Sequence, residues 1–151
     1  MMHALVLAAL TARLDGAHIL NSGSTNTAAY EILVWSDGSA RTISKSRTAD
    51  VRIAPALARK FLNDAKKARA ANAAGEPCMK SASFGSRTTV TYHAWTSPDV
   101  SCPSQDALAA LGADAAEIAR LTSAGGMRRI TLPPNEPRRL PELTPTPTPT
   151  S

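Results

Sequence analysis

The sequence predicts an α+β protein, an antiparallel sheet of about four strands packed against two helices. Three stretches carry that expectation. β-Branched and aromatic residues flank an Asp-Gly pair within Ala29–Ser44, apolar residues recur at helical spacing from Leu57 to Ala68, and a Thr/Val/Tyr alternation lies between Cys78 and Cys102. The first is a hairpin signal, the second an amphipathic helix and the third a strand. With 151 residues, the chain is expected to hold one domain with a real core. Its hydrophobic fraction is 43%, but aromatics are only 4% and alanine supplies much of the rest. Such a core buries little area per residue, which makes a covalent staple useful.

The chain opens with MMHALVLAALTARLDGA, where the apolar segment Ala4–Leu10 has no basic residue before it. A secretory signal needs a charged start and a small-residue cleavage site. Residues 1–16 therefore read either as a signal remnant or as a plain strand or helical turn. His18–Ser22 is the first strand, and Gly23–Thr27 is a polar turn. That turn shares composition with a phosphate cradle, but it lacks the Gly-x-x-x-x-Gly-Lys-Ser/Thr pattern and opens no helix.

The hairpin completes a three-stranded meander. A two-residue loop at Asp37-Gly38 pairs Trp35 with Ala40, Leu33 with Thr42 and Ile32 with Ile43. Tyr30, Ile32, Val34 and Ile43 then share one face, and Leu33 and Trp35 the other.

After Asp50 the period changes to that of a helix, from Pro55 to Ala71, with Gly75 and Pro77 as its stop. Phe61 and Leu62 are its main plug against the sheet. Arg59, Lys60, Lys66, Lys67 and Arg69 fall on its wet side. The net charge of +5 is spread over this helix and the C-terminal tail. It reads as a solvated face rather than a phosphate-binding patch, so nucleic acid is an unlikely partner. No run of about 20 apolar residues occurs, so no membrane span is expected.

Arg87–Trp95 is the next strand, with Val90, Tyr92 and Ala94 on one side and Thr91, His93 and Trp95 on the other. A second helix follows over Ser104–Thr122, with Leu108, Leu111, Ala115, Ile118 and Leu121 on its apolar face. Gly112 is a place for it to kink or split, and Gly125-Gly126 stops it. The folded domain thus covers residues 17–123. Residues 124–151 form a Pro/Thr-rich tail, extended because alternate prolines forbid helix and interior strand. Ile130–Leu132 has the composition of a short edge strand.

Little in the chain carries chemistry. Cys78 and Cys102 bracket a strand and two turns, so their ends can lie adjacent. A bridge is the favoured reading, with buried free thiols as the alternative. Neither cysteine has zinc-ligand or redox-motif spacing, and His3, His18 and His93 have none for a metal, so neither metal nor cofactor is expected. Ser97, His93 and Asp99 are close in sequence, but triads are assembled from distant loops and no Gly-x-Ser-x-Gly elbow is present. Glu31, Asp50, Asp64 and Asp99 show no pairing suited to acid–base work. No catalytic residue is assigned.

The words Cys78-Met79-Lys80-Ser81, Ser83-Phe84-Gly85 and Ser97-Pro98-Asp99, set around a Thr/Val/Tyr strand and ending at Cys102, resemble small exported proteins predicted from soil-bacterial genomes. The resemblance spans roughly residues 18–122. It implies secretion or a periplasmic location, against a cytoplasmic one if the N-terminus is native, and it brings over no activity. The order of meander, helix, strand and helix is also similar to small bacterial inhibitors of thermolysin-like proteases, as an analogy of order only.

A small exported binding module is accordingly the leading expectation, with inhibition of a secreted protease as its close variant. A hydrolase with an unrecognised site comes second and a weak nucleic-acid binder third. The expected contact surface is the rim of the Cys-bracketed strand: Phe84, Gly85, Trp95, Ser97 and Asp99. Trp95 leads because tryptophan is enriched among interface anchors. Its alternative role is plain core beneath the second helix.

Overall fold

Alternation along the strands decides which side chains face inward. A computed structural model describes residues 15–75, 78–80 and 85–124. The N-terminal apolar segment, Pro77, Phe84, Gly125-Gly126, Ile130–Leu132 and the Pro/Thr-rich tail lie outside those residues. The described chain runs β1 (Gly16–Asn21), β2 (Tyr30–Trp35), β3 (Ser39–Ser44), β4 (Arg47–Arg52), α1 (Pro55–Ala70), β5 (Thr88–Tyr92), β6 (Trp95–Thr96) and α2 (Asp106–Leu121). The strands form one antiparallel sheet in the order β4-β3-β2-β1-β5-β6. α1 packs on one face of the sheet, against β5, β1 and β2, and α2 lies along α1. The α+β class therefore stands, with six strands where about four were expected.

The core is apolar and modest. Ile19, Ile32, Val34 and Val90 of the sheet, Phe61 of α1, and Leu108, Leu111 and Ile118 of α2 are its largest fully buried side chains. Small alanines, among them Ala58, Ala65 and Ala68, let α1 lie close to its neighbours. Phe61 and Leu62 are the plug their spacing predicts.

The two extra strands have different origins. β4, RTADVR, is a polar edge strand whose inward positions Ala49 and Val51 are too few and too small to show a period. β6 arises because the expected long strand Arg87–Trp95 reverses at His93-Ala94, and Tyr92 then stands opposite Trp95. His93 enters the left-handed region, at φ 52°, to make that turn. The reversal moves Trp95 onto the face of Tyr92 and Val90, where it packs against the core, partly buried. Ala94 and His93 are left exposed at the turn.

The first hairpin also differs by one residue. Val34 pairs with Ala40, Leu33 with Arg41 and Ile32 with Thr42. Gly38, at φ 84°, adds a third residue to the loop, and its N–H donates to the Trp35 carbonyl at 3.0 Å. A three-residue loop ending in a left-handed glycine shifts the register by one, which turns Ile43 to the outer face and Thr42 inward. A side chain at 38 would also meet the Ile53 carbonyl at 2.5 Å.

The helix ends are set by residues other than the expected glycines. Asn72 and Ser123 take left-handed backbones, at φ 46° and 53°. Ala73 N–H then reaches the Ala68 carbonyl at 3.2 Å and Ala124 N–H the Ala119 carbonyl at 3.1 Å. These are the closing bonds of a left-handed helix cap. Along α2 the inward stripe is Leu108, Leu111, Ala115, Ile118 and Thr122, while Leu121 is 45% exposed. Alternating steps of three and four lead to 122, and 121 lies about 100° around the helix. Gly112 does not split α2, which is continuous.

Candidate functional site

Two anchors tie together the described residues between the cysteines. The first is the Cys78–Cys102 disulfide, which joins positions 24 apart with a Cα–Cα distance of 6.0 Å. The bridge expected between the only two cysteines is therefore present. The second anchor is ionic. Lys80 Nζ donates to Asp99 Oδ2 at 2.7 Å, to the Ser86 carbonyl at 2.6 Å and to the Ser101 hydroxyl. Asp99 Oδ1 accepts the Thr88 N–H at 3.0 Å, the Ser101 N–H at 3.1 Å and the Ser101 hydroxyl. Partial burial works against ionisation of Asp99. The Lys80 and Ser101 side chains and the Thr88 and Ser101 amides outweigh it and hold the carboxyl down to about 2.

The polar turn before β2 is tied to the same residues. Ser22 N–H donates to the Arg87 carbonyl at 2.9 Å, and the Ser22 hydroxyl accepts the Arg87 N–H at 2.9 Å. Buried Asn21 donates to Thr88 Oγ1 at 2.9 Å while its carbonyl oxygen accepts the Gly23 N–H at 2.9 Å.

Of the five expected contact residues, Phe84 lies outside the described residues, and Asp99 and Trp95 stand at opposite ends of β5. Asp99 is bonded to the Thr88 end of β5, whereas Trp95 stands opposite Tyr92 at the other end. Those positions are roughly 13 Å apart along a strand. Ser97 lies between them and is buried at 4% exposure; its hydroxyl donates to the Pro98 carbonyl at 2.7 Å and accepts the Val90 N–H at 2.9 Å. Ser97 and Asp99 thus both bond to the backbone around them, Ser97 buried and Asp99 partly buried. Gly85 is partly buried, beside the Lys80 anchor point at Ser86.

The residue that pattern reading missed is Met79, whose side chain is 100% exposed between its two anchored neighbours. Nothing in the sequence distinguishes it, since a methionine beside a cysteine reads equally well as core. His18 bonds Glu31 at 3.0 Å, and His93 lies edge-on to Tyr92 in the turn; neither is brought to Ser97 or Asp99. Among the described residues no group of three His, Cys, Asp or Glu converges as metal ligands do.

A second polar cluster sits between the helices and brings Asp64, for which the sequence suggests no partner carboxylate, beside Asp114. Asp64 of α1 and Asp114 of α2 are both buried at 6% exposure. Lys60 Nζ reaches over from the wet face to donate to Asp64 Oδ2 at 2.9 Å and to Asp114 Oδ1 and Oδ2 at 2.7 and 2.9 Å. Lys67 adds a bond to Asp64 Oδ1 at 3.2 Å. Burial raises the Asp114 carboxyl above its ordinary value, with the neighbouring Asp64 adding to the rise. Burial opposes ionisation of Asp64 too, but Lys60 and Lys67 bring it below its ordinary value. Lys60 bridges two carboxylates that would otherwise repel between packed helices.

Compared with family models, curated proteins and solved structures, the chain matches none.

Proposed function

We propose that the protein is a small binding module of an oxidising compartment, secreted or periplasmic, that meets a protein partner through its braced loop. Met79 carries this proposal. An exposed apolar side chain on a slack loop means little. Here it sits between a disulfide and a lysine with three hydrogen-bond partners, so docking it costs little ordering entropy. Lys80, Asp99 and Ser101 are the brace, Met79 the contact and Gly85 part of its surroundings. The disulfide fits a compartment where thiols are oxidised. No described helix is long and apolar enough to cross a membrane.

The test is capture from a secreted or periplasmic protein fraction by the immobilised, oxidised chain. A partner retained by the native chain and lost on Met79→Asp supports the proposal. Equal retention by both sinks it.

Inhibition of a secreted protease is a second reading, favoured by the same braced methionine. An inhibitory loop must offer one side chain to a specificity pocket while its flanks resist distortion. Titration against subtilisin-like, chymotrypsin-like and thermolysin-like proteases decides it: stoichiometric inhibition abolished by Met79→Asp is expected. Full protease activity at tenfold molar excess of the chain rejects it.

A further inference from the structure

Among the described residues β4 is the long free edge of the sheet, at the opposite edge from β6. Its two-residue turn, Lys45-Ser46, makes Ser44 and Arg47 the first pair of the β3–β4 ladder, and at the other end Ile53 N–H donates to the Gly38 carbonyl at 2.9 Å. Hydrogen-bonded pairs alternate in an antiparallel ladder. Arg47, Ala49 and Val51 therefore commit their main-chain groups to β3. Those of Thr48, Asp50 and Arg52 point outward, with no strand beside them among the described residues. A row of this kind is a template for one more strand.

The side chains of Asp50 and Arg52 lie on the sheet face turned away from the helices, beside Trp35, Ser39 and Arg41. An open cavity of about 360 Å³ lies among them, with room for a side chain of an added strand. Charge then selects the occupant. Arg41, Lys45, Arg47 and Arg52 stand against one carboxylate on the hairpin, Asp50, which Arg41 already engages at 2.7 Å. A second copy of β4 is a poor occupant, because the antiparallel self-pairing that matches all three outward residues sets Asp50 opposite Asp50.

We propose that β4 accepts an extended acidic peptide segment of a partner protein as a seventh strand. Main-chain bonds form at Thr48, Asp50 and Arg52, one side chain enters the groove beside Trp35, and carboxylates meet Arg47 and Arg52. This surface is independent of Met79, and Met79→Asp leaves it intact.

The probe is a capped octapeptide rich in Glu and Thr, titrated into the full ¹⁵N-labelled chain. Saturable shifts and slowed exchange are expected at the amides of Thr48, Asp50 and Arg52. Arg47→Glu with Arg52→Glu should weaken binding at least tenfold, and N-methylation of alternate peptide residues should abolish it. Thr48→Pro, a change edge strands tolerate, should abolish it too while the circular dichroism stays native. Equal binding of a Lys-for-Glu peptide, or of the N-methylated one, overturns strand addition by an acidic segment. The same amides shifting with protein concentration alone would point to a second copy, and displacement of the peptide by a single-stranded oligonucleotide at lower concentration would point to nucleic acid; either result overturns the proposal.

Discussion

Asp99 and Lys80, 19 residues apart, meet at 2.7 Å within the ring that the Cys78–Cys102 disulfide closes. The ring is thereby crossed twice, once by a covalent bond and once by an ion pair whose members are largely shielded from solvent. Each crossing has its own signature.

Asp99 is held at about 2 in the folded chain, below its ordinary 3.8. A depressed carboxyl contributes its full stability above the unfolded value and loses it as pH falls toward the folded one. Asp99→Asn should cost about 2 kcal/mol at pH 7, and the variant should lose less stability than the native chain between pH 4 and pH 2. Denaturant unfolding across that range measures both. Parallel stability curves for the two proteins would clear Asp99 of the role.

Removing the bridge frees a loop of 24 residues. Replacing Cys78 and Cys102 together by Ser should cost about 3–4 kcal/mol, read from the denaturant midpoint at constant slope. A loss under about 1 kcal/mol would mean that the Lys80–Asp99 pair closes the ring by itself.

Gly112 lies where the Val100 carbonyl presses on α2, and a Cβ there would stand 2.3 Å from that oxygen. In an open helix Gly→Ala gains about 1 kcal/mol. Here Gly112→Ala should instead destabilise by about 1–3 kcal/mol, because backbone and not a flexible side chain must yield. A thermal melt above the native one would refute the close approach.

Lys60→Met leaves Asp64 and Asp114 facing each other without their shared cation. The Asp114 carboxyl, already raised, should rise further, which carboxyl-carbon NMR titration detects. A group raised by folding penalises the ionised state, so the variant should be weakest near neutral pH. Stability should return as pH falls through the folded value of Asp114. A pH-independent deficit would assign Lys60 to packing alone.

Much of the fold was legible because it rests on local period. The stripe from Leu57 to Ala68 predicts α1 to within one residue at its end, and Leu108–Ile118 predicts α2. Both reflect a repeat that only one helix face can bury. The bridge was legible for a related reason: one excursion of chain between two cysteines brings its ends together. Strand registers were not, since Gly38 and His93 each decide by a single residue which face the following strand presents. Ile43 and Trp95 changed faces for that reason.

By itself, then, the sequence determined where chain turns to helix, which residues need burial, and which cysteines pair. Periodicity and covalent connectivity act over a few residues or through one closed loop, and both survive without knowledge of the neighbours. Only the tertiary structure decided that Asp99 meets Lys80, that Lys60 spans two helices to Asp114, and that Met79 stands fully exposed. Those outcomes depend on which side chains arrive from other elements. A carboxylate, a lysine or a methionine takes its role from the partner and the solvent it meets after folding.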